Sequence, residues 1–293
     1  MFQFFASVFG YFLNIINNFI GNYGFAIILF TLTIKLLMIP LSIKQQKTMK
    51  KSAKIQDQMK VLKFKYKNDQ EKLNKEMMDL YKKENMSPFS GCLSAIIQFI
   101  LLISIFYMVR NPLTYMIKID KDQLNEYIQT MKDNEITVSQ AYSEIDIIRE
   151  KEFLKEKLPE NENLDKINLN MNFIGLDLGK IPQQNLNDWK VYIIPVLYII
   201  STFISMRITT SMQNKINNKK EIIDVTEKDE KDESDKNDMD DAMAQSNKMM
   251  TWMMPIMSVS ISLVAPLGLA LYWLVNNILM IFERLILNKI IKD

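Results

Sequence analysis

The chain has 293 residues, with 36 Lys and Arg balanced against 34 Asp and Glu, and 48% of it is hydrophobic. One cysteine, Cys92, rules out an intramolecular disulfide or a multi-thiolate metal site, and the lack of histidine removes the commonest general base and metal ligand. Charge is segregated: runs without any cover 1–34, 36–43, 85–109, 191–206 and 249–282, whereas a membrane span needs about 20 apolar residues, so the sequence predicts an all-α polytopic membrane protein.

The first 30 residues lack a basic n-region and do not read as a cleavable signal. Residues 1–34 would reach about 51 Å as one helix against a hydrocarbon core of about 30 Å. An interfacial or re-entrant N-terminal helix over 1–21 is therefore expected, then a break at Gly21–Asn22–Tyr23–Gly24 and a first span over 22–43.

Residues 44–88 carry 13 Lys and 6 acids, all before a stop at Ser87–Pro88. Ile55, Met59, Leu62 and Tyr66, then Leu73, Met77 and Leu80, recur at intervals of three and four, which predicts two amphipathic helices in a basic antiparallel hairpin. A second span is expected over 90–110. Residues 111–188, with 9 basic and 15 acidic side chains, read as a partly helical aqueous region (122–157) with an extended piece at 171–182.

A third span is expected over 189–207, a polar and partly disordered loop over 208–248, spans over 249–266 and 267–285 hinged at Pro266–Leu267–Gly268, and a tail over 286–293. Lys and Arg near the span ends number eight in the hairpin loop, six in the 208–248 loop together with Arg207, and three in 111–188. The positive-inside rule then puts the hairpin, the 208–248 loop and the C-terminus in the cytoplasm, and the N-terminus outside. Some spans are as short as 16 or 17 apolar residues, a length that thins a bilayer or is made up by snorkelling side chains.

Lys35 stands inside the first span, nine residues before the next charge, or about 13 Å along a helix. A mid-membrane ammonium costs at least about 2.5–3.5 kcal/mol, so it should face a protein interior or a wet cavity. Thr31 lies one turn before it. Gln98, the pair Ser201 and Ser205, the pair Ser258 and Ser262, and Tyr272, Trp273 and Asn276 place further polar groups in the other spans. Any one of these is accounted for by bonding to its own helix or by gluing helices together; collectively they suggest one polar groove around a positive charge. The methionines, 21 in all and crowded at Met249, Met250, Met253, Met254 and Met257, suit either an adaptable apolar surface or plain lipid packing.

No Asp, Glu or His lies in the core of a span, and neither a G-x-S-x-G elbow nor a Gly-rich phosphate loop is present. The expectation is binding rather than covalent chemistry: not an enzyme, no catalytic residues, no cofactor and no metal. A small-molecule or anion pathway and a non-inserting assembly factor remain alternatives at this point.

Three stretches, 22–51, 66–107 and 248–289, with a weaker one at 173–182, resemble in order and spacing the YidC membrane-protein insertases of the short Gram-positive bacterial form, relatives of the mitochondrial oxidase-assembly and chloroplast Albino proteins. The resemblance implies a five-transmembrane-helix core with a hydrophilic groove, open to cytoplasm and lipid and closed outside, in the bacterial cell membrane. It also implies nascent membrane-protein substrates, contact with lipid, and recruitment of ribosome and Sec translocon by the hairpin, without nucleic-acid specificity or a small-molecule cofactor. The family has arginine at the position of Lys35, and a lysine keeps the charge but loses the bidentate fork.

Overall fold

The computed structural model describes residues 1–66, 69–84, 90–218 and 257–290, with backbone alone at 49–50, 52–54, 56–57, 60, 90–95 and 212–218. The expected stop at Ser87–Pro88, most of the 208–248 loop, the first half of the 249–266 span with four of its methionines, and the last three residues of the tail lie outside these.

Helix α1 (Phe2–Ile20) ends at Gly21, whose φ of 72° gives the left-handed turn that terminates it. Asn22 then caps helix α2 (Tyr23–Lys65), its side-chain oxygen accepting from the amides of Gly24 and Phe25. The break expected at 21–24 is thus one helix ending and the next beginning. Ala6, Gly10, Leu13 and Asn17 bury one face of α1, and Phe9 and Phe12 meet the Phe30 ring of α2 at 6.0 and 5.9 Å. The opposite face, Phe4, Val8, Tyr11, Ile15 and Phe19, is exposed and apolar, as a surface against lipid would be.

Helix α2 runs unbroken for 43 residues, about 65 Å. It passes the expected boundary at 43–44 because only Pro40 interrupts its backbone bonding. Its far end packs against α3 (Gln70–Lys83): Ile55 and Leu73 are buried, the Tyr81 hydroxyl meets the Met59 sulfur at 3.6 Å, and Lys65 and Lys72 flank the Tyr66 ring. This is an antiparallel pair whose first arm is the continuation of the preceding helix.

Helix α4 (Ser90–Arg110) leads through a π-helical turn, Leu113–Ile117, into α5 (Lys121–Asp133), α6 (Ser143–Arg149), α7 (Lys151–Lys157) and α8 (Asn163–Lys166). A two-stranded antiparallel hairpin follows, β1 (Asn172–Phe173) and β2 (Leu176–Asp177), within the stretch expected to be extended. Then come α9 (Ile193–Asn218), helical residues 257–264 (α10), and α11 (Leu267–Ile290).

Among the described residues, three helical stretches are long and apolar enough to cross a membrane: Tyr23–Thr48, Trp189–Ser211 and Leu267–Ile290; Ile96–Arg110 is a shorter apolar one. Their outward faces are apolar and exposed: Phe25, Leu29, Leu32 and Leu36 on α2, Val196, Ile200 and Phe203 on α9, Ile278, Phe282 and Leu285 on α11.

Residues 168–180 tie the ends of α2 and α11 together. The Tyr23 amide donates to the Asn170 carbonyl at 3.1 Å, and the Asn22 and Asn17 side chains donate to the carbonyls of Asn172 and Asn168. The amides of Leu267 and Gly268, in the first turn of α11, donate to the carbonyls of Lys180 and Leu178 at 3.0 and 2.9 Å. First-turn amides have no partner within their own helix, and here a distant segment supplies it. Gly24 allows the approach: a Cβ there would lie 2.3 Å from the Phe173 ring.

Candidate functional site: a polar cavity between α2, α4 and α11

One face of α2 carries Thr31, Ile34, Lys35, Met38, Leu41, Ser42 and Gln45, spaced as successive turns of a helix. That row extends about 21 Å along the axis. Opposite it lie Ile97, Gln98, Leu101 and Ile105 of α4 and Tyr272 and Asn276 of α11. Between them is a cavity of about 40 Å³, room for roughly three waters at about 10–15 Å³ each. Among the described residues, seven of its thirteen lining side chains are polar, unlike the apolar outer faces of the same helices.

Of the ten residues singled out in the sequence, Thr31, Lys35, Gln98, Tyr272 and Asn276 line this cavity. Thr31 is buried and donates to the Ile27 carbonyl at 2.6 Å, leaving its oxygen lone pairs to accept. The other five lie elsewhere. Ser201 and Ser205 are buried on α9; Ser201 donates to the Tyr198 carbonyl and accepts from Asn277 Nδ2 at 3.0 Å, which makes it part of the α9–α11 seam. Trp273 is buried in the same seam, its ring 5.9 Å from that of Tyr198. Ser262 is buried and bonded to the Val259 carbonyl, and Ser258 is half-buried on α10.

Sequence reasoning missed Ser42 and Gln45, although both continue the heptad spacing of Thr31 and Lys35; Gln45 lies beyond the expected boundary at 43, and Ser42 sits at the very end of the expected span. It also missed Glu283, seven residues and so two turns beyond Asn276. Glu283 Oε2 sits 3.4 Å from Lys35 Nζ, with side-chain exposures of 16% and 19%, so the ammonium has an anionic partner on α11. Asn277, next to the predicted Asn276, donates to both Ser201 and Thr202 on α9. Among the described residues no cluster of acids and cysteine is arranged to hold a metal ion.

Span-length helices with apolar outer faces define a multi-pass helical membrane protein, and a polar cavity lies between α2, α4 and α11. The family model of the 60Kd inner membrane protein matches residues 15–293. Among curated proteins, the membrane protein insertases YidC of Francisella tularensis subspecies novicida (strain U112), subspecies holarctica (strain LVS) and subspecies tularensis (strain SCHU S4) are each 41% identical over 109 residues, 37% of this chain. The match spans only 20% of each relative's own length. The chain belongs to the 60Kd inner membrane protein family, that of the YidC insertases.

Proposed function

We propose that the chain is a membrane-protein insertase: it takes short polar segments of nascent membrane proteins through the cavity and releases their hydrophobic segments into lipid. The observation that carries this reading is the row of polar side chains on α2, from Thr31 to Gln45, which lines a cavity with Lys35 on its wall. Such a row shortens the dry distance a polar segment must cross. Lys35 attracts polar and acidic groups, while exposed apolar side chains on α9 and α11 offer the departing hydrophobic segment a path into lipid.

In this reading the core has five spans, with α10 part of the fourth and α4 the second. The cytoplasmic arm of α2 with α3 recruits ribosome or Sec translocon. Residues 168–180 close the outer end, the N-terminus lies outside and the C-terminus inside. The chain acts without catalytic residues, cofactor or metal. Pairing of Lys35 with Glu283 speaks against an anion pathway, which needs an unneutralised cation.

The test is rescue of an insertase-depleted strain with wild type, Lys35→Ala or Lys35→Arg, scoring insertion of a small single-span substrate with polar or acidic tails. Arg is expected to support insertion and Ala to reduce it. Equal insertion of acidic-tailed substrate by Ala and wild type would remove Lys35 from the mechanism.

A further inference from the structure

Lys35 is the one charged side chain lining the cavity among the described residues, and it is already occupied. Glu283 continues the row that Tyr272 and Asn276 begin on α11. One of its oxygens, Oε2, faces Lys35; the other, Oε1, is buried and takes no hydrogen bond among the described residues. The adjacent Arg284 turns to α9, where it donates to Thr209. A partly buried carboxylate with one oxygen unbonded holds its cation, because losing that cation would leave a charge with no hydrogen-bonded partner at all.

We propose that Glu283 is the resident counter-ion of Lys35 and acts as a selectivity filter, cancelling the preference for acidic client segments that a bare ammonium would confer, so that short uncharged polar segments are accepted equally well. A client carboxylate meets a neutral pair, not a bare ammonium. To reach Lys35 it must displace Glu283, and the exchange gains one ion pair while breaking another. An amide- or hydroxyl-rich segment needs no such exchange and bonds to Asn276, Gln98 and Gln45 with the pair intact. Glu283 is thus a specificity-determining residue, and Lys35 attracts acidic groups only to the extent that Glu283 lets it go.

This inference rests on the cavity being the client path, and the experiment separates the two. Full-length protein in lipid nanodiscs is titrated with two single-span peptides, identical except for a tail carrying two Asp or two Asn. Wild type is expected to bind them within about twofold of each other. Glu283→Gln, which keeps shape and removes charge, should shift preference toward the Asp peptide by about tenfold, the effect of one freed charge in a partly buried site. The shift should vanish in Lys35→Ala/Glu283→Gln, and Glu283→Asp, which keeps the charge, should retain the wild-type ratio. Binding of both peptides with a ratio unmoved by Glu283→Gln, or equal weakening of both, would overturn the filter and leave the client path standing. Binding of neither peptide to any variant would overturn both.

Discussion

Asn277 of α11 donates from Nδ2 to Ser201 Oγ at 3.0 Å and to Thr202 Oγ1 at 3.1 Å, and so joins α11 to α9 through two hydroxyls on adjacent residues. In an apolar surrounding such a bridge replaces hydrophobic driving force, although measured interhelical bonds average only about 0.6 kcal/mol. Asn277→Ala should therefore destabilise the protein by about 1 kcal/mol, two bonds lost, and lower its unfolding temperature in detergent micelles. A Ser201→Ala/Asn277→Ala double variant should lose less than the sum of the two single variants, because both single changes remove the same contact.

Gly24 abuts the Phe173 ring so closely that a methyl group has no space. Alanine gains about 1 kcal/mol of intrinsic helix preference over glycine, but overpacking costs about 1–3 kcal/mol, so the clash wins. Gly24→Ala should lower the unfolding temperature, and Gly24→Ala/Phe173→Ala should not restore it, since deleting a buried Phe costs about 3–5 kcal/mol by itself. Gly24→Ala/Phe173→Leu, which removes the ring but keeps apolar volume, should recover part of the loss. Thermal unfolding of the four proteins checks the order.

The β1–β2 turn places Ile174 at φ 53° and Gly175 at φ 77°, the backbone pattern of the tight hairpin turn that favours Asn-Gly. A β-branched residue in the left-handed region costs about 1–2 kcal/mol, and Ile174 is 76% exposed, so its side chain offers little packing in return. Ile174→Asn should raise the unfolding temperature by an amount worth about 1 kcal/mol. A lower unfolding temperature would show that the isoleucine makes a contact worth more than its strain.

Glu144 is 6% exposed and accepts from the amide and hydroxyl of Thr114. Burial, partly offset by those bonds and by Arg110, pushes its carboxyl above the ordinary 4.5, and burial likewise raises Asp146 above 3.8. A raised carboxylate stabilises the fold below its unfolded pKa, and that contribution is lost as pH rises through the folded pKa. Asp165 and Asp188, beside Lys155 and Lys180, are shifted down and act oppositely, at pH values below about 4. Above pH 4.5, then, the 111–188 region should lose stability as pH rises until both raised groups are ionised. Glu144→Gln should flatten that slope in unfolding curves recorded from pH 4 to 8.

The cavity was partly legible because helical spacing is a local property. Thr31, Lys35, Tyr272 and Asn276 stand out as polar residues one turn apart in apolar runs. Glu283 did not, because it sits at the margin of a charge-free run and its meaning depends on α2, some 248 positions away. Asn277 and Asn276 are equal in the sequence; only the seam with α9 distinguishes the buried one from the cavity one. Ser201 and Trp273 carry the same polar signal as the lining residues, yet a polar side chain marks a helix–helix seam as readily as a cavity. Most bonds from 168–180 to the ends of α2 and α11 join backbone groups and leave no trace in side-chain pattern, and the Asn22 side chain that adds to them gives no sign in the sequence of its distant partner.

The uninterrupted length of α2 has a mechanical consequence. Lys35 lies near one third of the way along a rod whose far arm stands beyond the membrane-length portion. Only Pro40, which withholds one amide from the backbone ladder, offers a place to bend. A torque applied at Ile55 or Tyr66 is therefore delivered to the wall that carries Lys35 and Gln45, with Pro40 as fulcrum. A load on the distal arm and the width of the polar cavity thus share one coordinate, and the cavity wall can be moved from a distance.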